Sequence, residues 1–493
     1  MPKRLRPYQI EMLKYTMGVQ HPALFVDMRL GKSIVTVRRI KMYKKCTEIL
    51  IVCPYSAIQG WKDTLEDEGE VLAACIVGTG PQRRRAYALS KTYTDDSFVK
   101  GRRWYITNKE GFFGFKEIKD LLWHVTVLDE SRFIANDNNA ATTYYCNNFR
   151  HVDHRWVLTG TPAPESELEY YNQLRFLDPT ILNYSSWYKF RNACFTQPID
   201  CCGQHDPWYI RSKGKKFLTE KLAEHTYHLM RTDVDMGGEK IYQVRNLHMP
   251  KRMRKIYKTA EEEFILEYDD KCEKTVWAMT KFLWLRRICG GILDGQPMWP
   301  GKMELLLKML GSEFYGEQMI IWCQFIDELK YVKTILDVNG YDSEKVHGDV
   351  KPKERDEIGK RFLKKDFQIL VAQPECYKFG KDLSSASVMV YYSSPLGLET
   401  RSQTEDRIID VANKNSVLIL DLIVEDSIDE DIYKAVKKKA RRNVLMANLI
   451  KSARKHINVK KHLRLAPEKT YSGVAMFDAE DFDNDTTKQS TDS

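Results

Sequence analysis

Residues 25–33 join the end of an apolar segment to a turn that contains Gly31, Lys32 and Ser33. A Gly in such a turn lets backbone N–H groups and the start of the following helix face phosphate groups. Lys32 would then contact the β and γ phosphates of a nucleotide, and Ser33 would hold Mg²⁺. Val26 stands where the full phosphate-loop pattern has its first Gly. An ordinary strand–helix turn is therefore the alternative interpretation.

Two carboxylates, Asp129 and Glu130, directly follow the apolar segment at residues 125–128. Hydrolysis of a nucleoside triphosphate needs such a pair: Asp129 would hold Mg²⁺, and Glu130 would orient and deprotonate the attacking water. Thr159 and Thr161 follow the next apolar segment. Their hydroxyls could touch the acidic pair from a neighbouring strand end and report the state of the γ-phosphate.

The elements that must position these residues are predicted by two series of continuous apolar runs. Such runs are typical of strands buried on both faces of a parallel sheet, and ligands bind at the carboxyl ends of these strands. The first series lies at residues 48–53, 103–106, 124–128 and 155–158, and the second at 318–323, 367–372, 387–392 and 416–420. Only the first series carries a phosphate loop, so we expect the nucleotide to lie between two α/β lobes.

The chain has 493 residues, more than the roughly 250 to 300 at which a single core stops growing. We predict an N-terminal nucleotide-binding lobe at residues 1–182 and a second lobe at 296–445. Residues 183–295 would form a helical, aromatic-rich insert, and residues 446–493 a basic helical extension with a disordered acidic tail. Most aromatic side chains of the insert are expected in packing, and a minority against nucleic acid bases; they include Trp187, Tyr188, Trp208 and Tyr209.

Composition indicates a globular protein, with 43% hydrophobic and 29% charged residues, and the net charge of +9 suits a polyanionic partner. There is no secretory signal and no apolar run of 18 residues, so we expect a soluble cytoplasmic protein without a membrane partner. Eleven cysteines favour reduced thiols. Cys194, Cys201, Cys202 and His205 could surround zinc, although their spacing matches no structural zinc site.

Residues 434–464 contain twelve Lys or Arg side chains. Two interpretations stay open for this basic stretch. It could be a solvated helix face, or it could be a patch that follows a phosphate backbone.

In their order along the chain, these motifs resemble the SNF2-like (Swi2/Snf2) branch of the superfamily 2 helicases. Residues 27–33 are similar to the DMGLGKT motif of that branch, with Arg29 in place of the middle Gly. The other similar segments are residues 5–9, 51–54 with Trp61, 106–108, 128–132, 158–162, 285–289, 301–302, 346–348, 380–383, 403–407 and 427–430. The resemblance covers about residues 5–440.

The resemblance implies two RecA-like parallel-sheet lobes that bind ATP and Mg²⁺ between them. By motif position, Gln9 would recognise adenine and Arg407 would be an arginine finger. The remaining implied nucleotide contacts are Arg29, Gly31, Gly380 and Asp382, and the implied coupling residues are Thr159, Thr161 and Gln403. Members of the branch usually carry a further Arg three residues after the finger. This chain has Asp410 there, and Arg401 is an alternative second cation.

The resemblance also implies a motor that moves on DNA by gripping its phosphate backbone alternately with each lobe. Matching by motif places the DNA-contacting residues at Pro54, Trp61, Thr107, Asn108, His347 and Ser384. We expect a compact monomer of the phage or bacterial type, located in the bacterial host if phage-encoded. It would act on forks or branched DNA in replication, recombination or repair, together with other proteins of those processes.

Three other functions remain open from the sequence. An RNA helicase would use the same chemistry. A nucleotide-gated nucleic-acid-binding protein without motor activity would follow if the departures at Arg29 and Asp410 abolish turnover. A restriction-type translocase subunit would need a methylase or nuclease partner.

Overall fold

The computed structural model describes residues 4–70, 72–92, 101–136, 139–197, 208–234, 239–266, 274–293, 295–377, 382–409 and 416–456. In the first lobe, the strands are β1 (Ala23–Val26), β2 (Glu48–Val52), β3 (Ala73–Cys75), β4 (Arg103–Thr107), β5 (Val125–Asp129), β6 (His154–Thr159), β7 (Phe195–Thr196), β8 (Tyr209–Ile210) and β9 (Thr226–Leu229). Its helices are α1 (Pro7–Met17), α2 (Lys32–Lys41), α3 (Ile58–Asp67), α4 (Gly80–Thr92), α5 (Lys109–Phe113), α6 (Lys116–Lys119), α7 (Ala140–Asn148), α8 (Tyr170–Leu177), α9 (Trp187–Cys194) and α10 (Ser212–His225).

Seven strands of this lobe form one sheet in the order β3-β4-β2-β5-β6-β1-β9, and every neighbouring pair is parallel. Alternate residues of each central strand enter two different cores. In β2, for example, Leu50 packs on one face and Ile51 on the other. Helices cover both faces, which explains why the strands are continuous apolar runs. The carboxyl ends of β1, β5 and β6 lie side by side at one edge.

The second lobe is a six-stranded parallel sheet in the order β10-β17-β16-β13-β15-β14. The strands of this sheet are β10 (Lys240–Leu247), β13 (Met319–Trp322), β14 (Ser343–Val346), β15 (Ile369–Ala372), β16 (Val388–Tyr391) and β17 (Val417–Val424), and β11 (Ile292–Leu293) and β12 (Gln296–Pro297) form a separate antiparallel pair. The helices are α11 (Lys251–Leu266), α12 (Lys274–Gly290), α13 (Gly301–Leu310), α14 (Ile326–Val338), α15 (Pro352–Leu363), α16 (Pro374–Tyr377), α17 (Leu398–Glu405) and α18 (Ile428–His456). The predicted fold class, two parallel-sheet lobes, is confirmed.

The predicted helical insert at residues 183–295 is not a separate helical body. Strand β9 extends the first sheet beside β1, and β10 pairs with β17 of the second sheet over eight residues. Both are edge strands, and most side chains of β10 are partly or fully exposed. Edge strands carry polar residues at positions where central strands are apolar, so the search for continuous apolar runs missed them.

Helix α18 joins the two lobes. It begins against α12 and β17 of the second lobe, and its later half packs on α10 and β9 of the first. Met446 and Ile450 are buried in the first lobe's core. The helix runs through the predicted boundary at residue 445, so that boundary is wrong. Residues 457–493, where the acidic tail was predicted, lie outside the described residues.

Several basic residues of α18 contact the first lobe. Lys439 pairs with Glu165 at 2.5 Å, Arg442 donates to the carbonyl of Pro164 at 2.8 Å, and Lys451 pairs with Asp233. Arg454 donates to the carbonyl of Ala223 at 3.2 Å. These contacts hold four partly exposed basic side chains against the first lobe, and the phosphate-binding interpretation of the stretch stays a prediction. No helix within the described ranges combines the length and apolar character that a membrane span requires.

Candidate nucleotide-binding and catalytic cleft

A cavity of about 570 Å³ opens at the carboxyl ends of β1 and β5, and both lobes line it. The first lobe contributes the phosphate loop, α1 and the acidic pair, and the second contributes the segment after α17. Seven predicted nucleotide-contacting or catalytic residues of the first lobe line this cavity together with Arg407: Gln9, Arg29, Gly31, Lys32, Ser33, Asp129 and Glu130. The structure therefore brings these residues to one place.

The phosphate loop depends on the Gly at its end. Gly31 caps α2 with a left-handed φ of 83°, a conformation that Gly adopts without strain. A Cβ on Gly31 would lie 2.2 Å from the amide nitrogen of Gln9. That nitrogen donates to the carbonyl of Leu30 at 3.2 Å, so Gln9 is held directly against the loop.

Lys32 lies at the start of α2, and its ammonium turns back onto its own loop. Nζ donates to the carbonyl oxygens of Val26 at 2.6 Å and Asp27 at 3.2 Å. These acceptors are neutral. A phosphate oxygen carries a full charge and makes a stronger hydrogen bond, so a bound nucleotide could draw the ammonium away from the loop.

The acidic pair is held by three donors. Asp129 accepts a hydrogen bond from the indole N–H of Trp61 at 2.8 Å and from the backbone N–H of Glu130 at 3.0 Å. Glu130 has a left-handed φ of 49° and accepts from the hydroxyl of Thr159 at 3.2 Å. Thr159 in turn accepts from the backbone N–H of Thr161 at 3.2 Å. The predicted contact between the threonine segment and the acidic pair is present, and Thr159 makes it.

Burial raises the pKa of both carboxyl groups. For Glu130, burial and the adjacent charge of Asp129 raise the pKa to about 7, and Lys32 offsets part of this effect. Burial likewise raises the pKa of Asp129, and the charge of Lys32 opposes the shift. A carboxyl with a pKa near neutrality can take a proton from water and release it again at physiological pH. This suits Glu130 as a general base.

The donors at the cleft fit a Mg²⁺ ion that is shared with phosphate groups. Ser33 and Asp129 supply one hydroxyl and one carboxylate, and Mg²⁺ is commonly held by one or two protein oxygens together with phosphate oxygens and water. Within the described residues, no three His, Cys, Asp or Glu side chains form a metal-binding group. Of the suggested zinc cluster, Cys194 is buried, and Cys201, Cys202 and His205 lie outside the described residues.

Arg407 is the second lobe's cation in the cleft. Its side chain is buried, and Nη2 lies 3.5 Å from the sulfur of Met28 in the phosphate loop. Burial, followed by the nearby charge of Arg29, lowers the pKa of Arg407 to about 10, so the guanidinium is still charged at neutral pH. Arg407 thus brings a cation of the second lobe into the cavity that Lys32 and Glu130 line, and its role as an arginine finger stays a prediction.

Arg29 contacts the second lobe. Its guanidinium donates to Asp382 Oδ1 at 2.7 Å, to the carbonyl of Arg407 at 3.3 Å and to the carbonyl of Ile409. Burial alone would raise the pKa of Asp382, but the Arg29 cation and the hydrogen bonds from Arg29 and Ser384 lower it overall. The structure thus assigns both residues to an interlobe contact. Gly380, predicted beside them, lies outside the described residues.

Gln403 is connected to the acidic pair through two other residues. Its amide donates to Glu399 Oε1 at 3.1 Å, and the other oxygen of Glu399 accepts from Arg132, two residues after Glu130. The sequence interpretation did not include Glu399 or Arg132 as site residues. Glu399 lies one helical turn before Gln403 on α17, and that spacing was the available signal.

Arg401 is not a second cation for the nucleotide. Its guanidinium makes two hydrogen bonds to Asp421, at 2.6 and 2.8 Å, and one to Glu405 at 2.6 Å. The side chain is buried. All of these partners belong to the second lobe, so Arg401 stabilises that lobe and is unavailable to phosphate groups. Asp410 lies outside the described residues.

The side chains of three of the six predicted DNA contacts are buried in this structure. Trp61, Thr107 and His347 are 2%, 0% and 9% exposed. Trp61 donates to Asp129, as described above, and the hydroxyl of Thr107 donates to the carbonyl of Ile76 at 2.8 Å. These interactions hold the side chains of Trp61 and Thr107 inside the first lobe, and a DNA contact at the three positions stays a prediction.

The other three predicted DNA contacts are accessible. Pro54 and Asn108 line a second cavity of about 650 Å³. Asn108 also caps α5 by accepting from the backbone N–H of Gly111 at 3.0 Å. Ser384 is partly exposed, and its backbone N–H donates to Asp382 at 3.1 Å. A DNA contact at these three positions stays a prediction.

Two parallel-sheet lobes with a phosphate loop on one and an arginine at the shared cleft define the class of two-lobed, helicase-like nucleotide-binding proteins. Residues 8–290 match the SNF2-related domain, and residues 301–411 match the helicase conserved C-terminal domain. The first match alone covers more than half of the chain. This chain therefore belongs to the SNF2-related family.

The chain is also similar to other proteins over most of its length. The chain is 23% identical over 471 residues to Chromodomain-helicase-DNA-binding protein 1-like of Mus musculus, with 91% of this chain and 50% of that protein covered. It is 21% identical over 481 residues to ATP-dependent helicase brm of Drosophila melanogaster, with 88% and 28% covered. The chain thus spans half or less of these relatives. A solved SWI2/SNF2 ATPase core of Sulfolobus solfataricus in complex with dsDNA is 19% identical, with a TM-score of 0.41 and with 94% and 97% covered.

Proposed function

We propose that this protein is an ATP-dependent DNA translocase that couples ATP hydrolysis in the interlobe cleft to movement on DNA. The observation that carries the proposal is that Lys32 and Glu130 of the first lobe share one cavity with Arg407 of the second. A nucleotide bound there would contact both lobes. Hydrolysis would then depend on lobe closure, and product release on opening.

Each residue has a distinct role in the proposed reaction. Bound Mg²⁺, held by Ser33 and Asp129, would neutralise phosphate charge. Lys32 would leave the loop carbonyls for the β and γ phosphates, and Arg407 would stabilise the charge that develops on the γ-phosphate. Glu130 would accept the proton of the attacking water, and Thr159 would hold the Glu130 carboxylate in place.

The proposed DNA substrate rests on family membership and on the charge balance. Relatives named as DNA-binding and helicase proteins match about nine tenths of this chain, and the net charge is +9. Within this proposal, the protein acts as a monomer on forks or branched DNA in replication, recombination or repair. An RNA helicase and a nucleotide-gated binding protein are the alternatives.

The test is the rate of ATP hydrolysis with duplex, single-stranded, forked and four-way DNA and with RNA, with strand displacement measured in parallel. We expect stimulation by DNA, which Lys32→Ala and Glu130→Gln abolish. Tyr315→Ala is a suitable control because Tyr315 is 81% exposed on the second lobe. Stronger stimulation by RNA than by DNA would mean that RNA, and not DNA, is the substrate. ATP binding without stimulated turnover would favour the gated binding protein.

A further inference from the structure

Helix α9 and the β7–β8 hairpin form a surface on which aromatic rings surround one cation. The guanidinium carbon of Arg191 lies 4.1 Å from the ring centre of Trp208, 5.0 Å from that of Trp187 and 5.2 Å from that of Tyr188. Tyr188 is 53% exposed. We call this surface the basic aromatic face; its members are Trp187, Tyr188, Lys189, Arg191, Trp208 and Arg211.

Buried side chains and hydrogen bonds fix the basic aromatic face to the first lobe. Phe190 and Cys194, on the other side of α9, are buried in the core of that lobe. The hydroxyl of Ser186 caps the helix by accepting from the backbone N–H of Lys189 at 3.3 Å. The backbone N–H of Arg211 donates to the carbonyl of Cys194 at 2.8 Å. The exposed ring of Tyr188 therefore stands on a fixed support, which lowers the entropy cost of binding.

The two chain segments that carry these rings have charges of one sign. Residues 183–197 and 208–219, all within the described ranges, contain no Asp or Glu and have six basic residues: Lys189, Arg191, Arg211, Lys213, Lys215 and Lys216. Arg191 donates at 3.2 Å to the side-chain oxygen of Asn192, which is neutral. Its positive charge is thus not cancelled by that contact.

We propose that the basic aromatic face binds single-stranded DNA. Unpaired bases would stack on Tyr188 and the neighbouring Trp rings, and Lys189 and Arg211 would neutralise phosphates. Unpaired bases fit this surface because their faces are free to stack on side chains, whereas bases within a duplex already stack on one another. The inference rests on the proposed action on DNA and adds a site for an unpaired strand, such as one arm of a fork.

The test compares affinities for a single-stranded oligonucleotide, the matching duplex and the matching RNA by fluorescence anisotropy. We expect Tyr188→Ala to weaken binding of single-stranded DNA by about 5- to 10-fold and to weaken duplex binding less. Tyr188→Phe keeps the ring and should bind as the unchanged protein does. Tyr315→Ala removes a more exposed ring on the second lobe, 81% against 53% for Tyr188, and should have no effect. Substitution at an exposed Tyr avoids loss of the fold.

Each result either supports or overturns single-stranded DNA binding at the basic aromatic face. Equal binding of single-stranded DNA by the unchanged protein and Tyr188→Ala would overturn the proposal. Duplex-stimulated ATP hydrolysis without any single-strand binding would overturn it while leaving the proposed translocase intact. Neither binding nor stimulation by any DNA would overturn both. Tighter binding of the RNA oligonucleotide, lost in Tyr188→Ala, would overturn the assignment to DNA.

Discussion

Arg29 and Asp382 form an ion pair across the cleft between the lobes, with Arg29 Nη2 2.7 Å from Asp382 Oδ1. Arg29 belongs to the phosphate loop of the first lobe. The same guanidinium also donates to the backbone carbonyl of Arg407 in the second lobe. The loop that would hold the phosphates is thereby tied to the backbone of the residue that would act as the finger.

We expect Arg29→Ala to lower kcat for ATP hydrolysis by about 10- to 100-fold, because a small displacement of a catalytic group costs that much. KM for ATP should change less, since Lys32 and Ser33 are unaltered. Arg29→Lys keeps the charge opposite Asp382 but lacks the fork of donors that reaches several acceptors, so it should recover only part of the rate. Arg85→Ala, an exposed Arg of the same lobe, is the control. An unchanged kcat in Arg29→Ala would show that the contact does not position Arg407.

The pKa of Glu130 predicts a pH dependence of both rate and stability. ATP hydrolysis should increase through pH about 7, since burial and Asp129 raise the pKa of Glu130 to about 7 and the base must be ionised to act. Glu130→Gln should lose about 10²- to 10⁴-fold in rate. Steady-state rates of ATP hydrolysis from pH 5.5 to 9 measure both the rise with pH and the loss of rate in Glu130→Gln.

The raised pKa of Glu130 also sets the direction in which its contribution to stability changes with pH. The folded protein holds the Glu130 proton more tightly than the unfolded chain, whose ordinary pKa is 4.5. The contribution of Glu130 to stability should therefore fall as the pH rises from 4.5 to about 7 and remain lower above that range. Because Glu130→Gln cannot ionise, the variant should unfold at a higher temperature than the unchanged protein at pH 8, with little difference at pH 4.5. The opposite order at pH 8 would contradict the raised pKa.

Much of the fold follows from the apolar runs. The predicted strand at residues 48–53 is Glu48–Val52, and that at 387–392 is Val388–Tyr391; central strands are buried on both faces, so their composition is unambiguous. Four edge strands of the two main sheets, β3, β9, β10 and β14, were not predicted. Strand β14 has the sequence Ser-Glu-Lys-Val and lies at the sheet edge, where polar side chains can face solvent.

The candidate site was predictable where strand ends define it and unpredictable where it depends on contacts between lobes. Asp129 and Thr159 end neighbouring strands, so their proximity follows from the sheet. The ion pair of Arg29 joins residues 353 positions apart, and no local pattern specifies it. The burial of Trp61 was predictable from the sequence, because Ile58, Trp61 and Leu65 have the spacing of the apolar face of a helix.

Substitution of Trp61 should change the Mg²⁺ concentration that ATP hydrolysis requires and leave DNA binding unchanged. Trp61→Phe keeps the buried ring but removes the N–H that donates to Asp129 at 2.8 Å. Loss of a donor to a metal-binding carboxylate typically costs about 10- to 100-fold in metal affinity or activity, so half-maximal ATP hydrolysis should need more Mg²⁺. Duplex affinity in the absence of nucleotide should be unchanged. Trp156→Phe, also fully buried in this lobe, is the matched control. A loss of DNA affinity with an unchanged Mg²⁺ requirement would restore the original assignment of Trp61.

Met446 should determine whether α18 stays attached to the first lobe. Its side chain is 4% exposed in the core of that lobe, whereas the adjacent Leu445 is 54% exposed. Truncating a buried Met to Ala costs about 2–5 kcal/mol, and exposed ion pairs such as Lys439–Glu165 contribute too little to compensate. Met446→Ala should therefore speed amide hydrogen exchange in the later half of α18, and Leu445→Ala should not. Equal exchange in both variants would mean that the helix is held to the first lobe by its charged contacts instead.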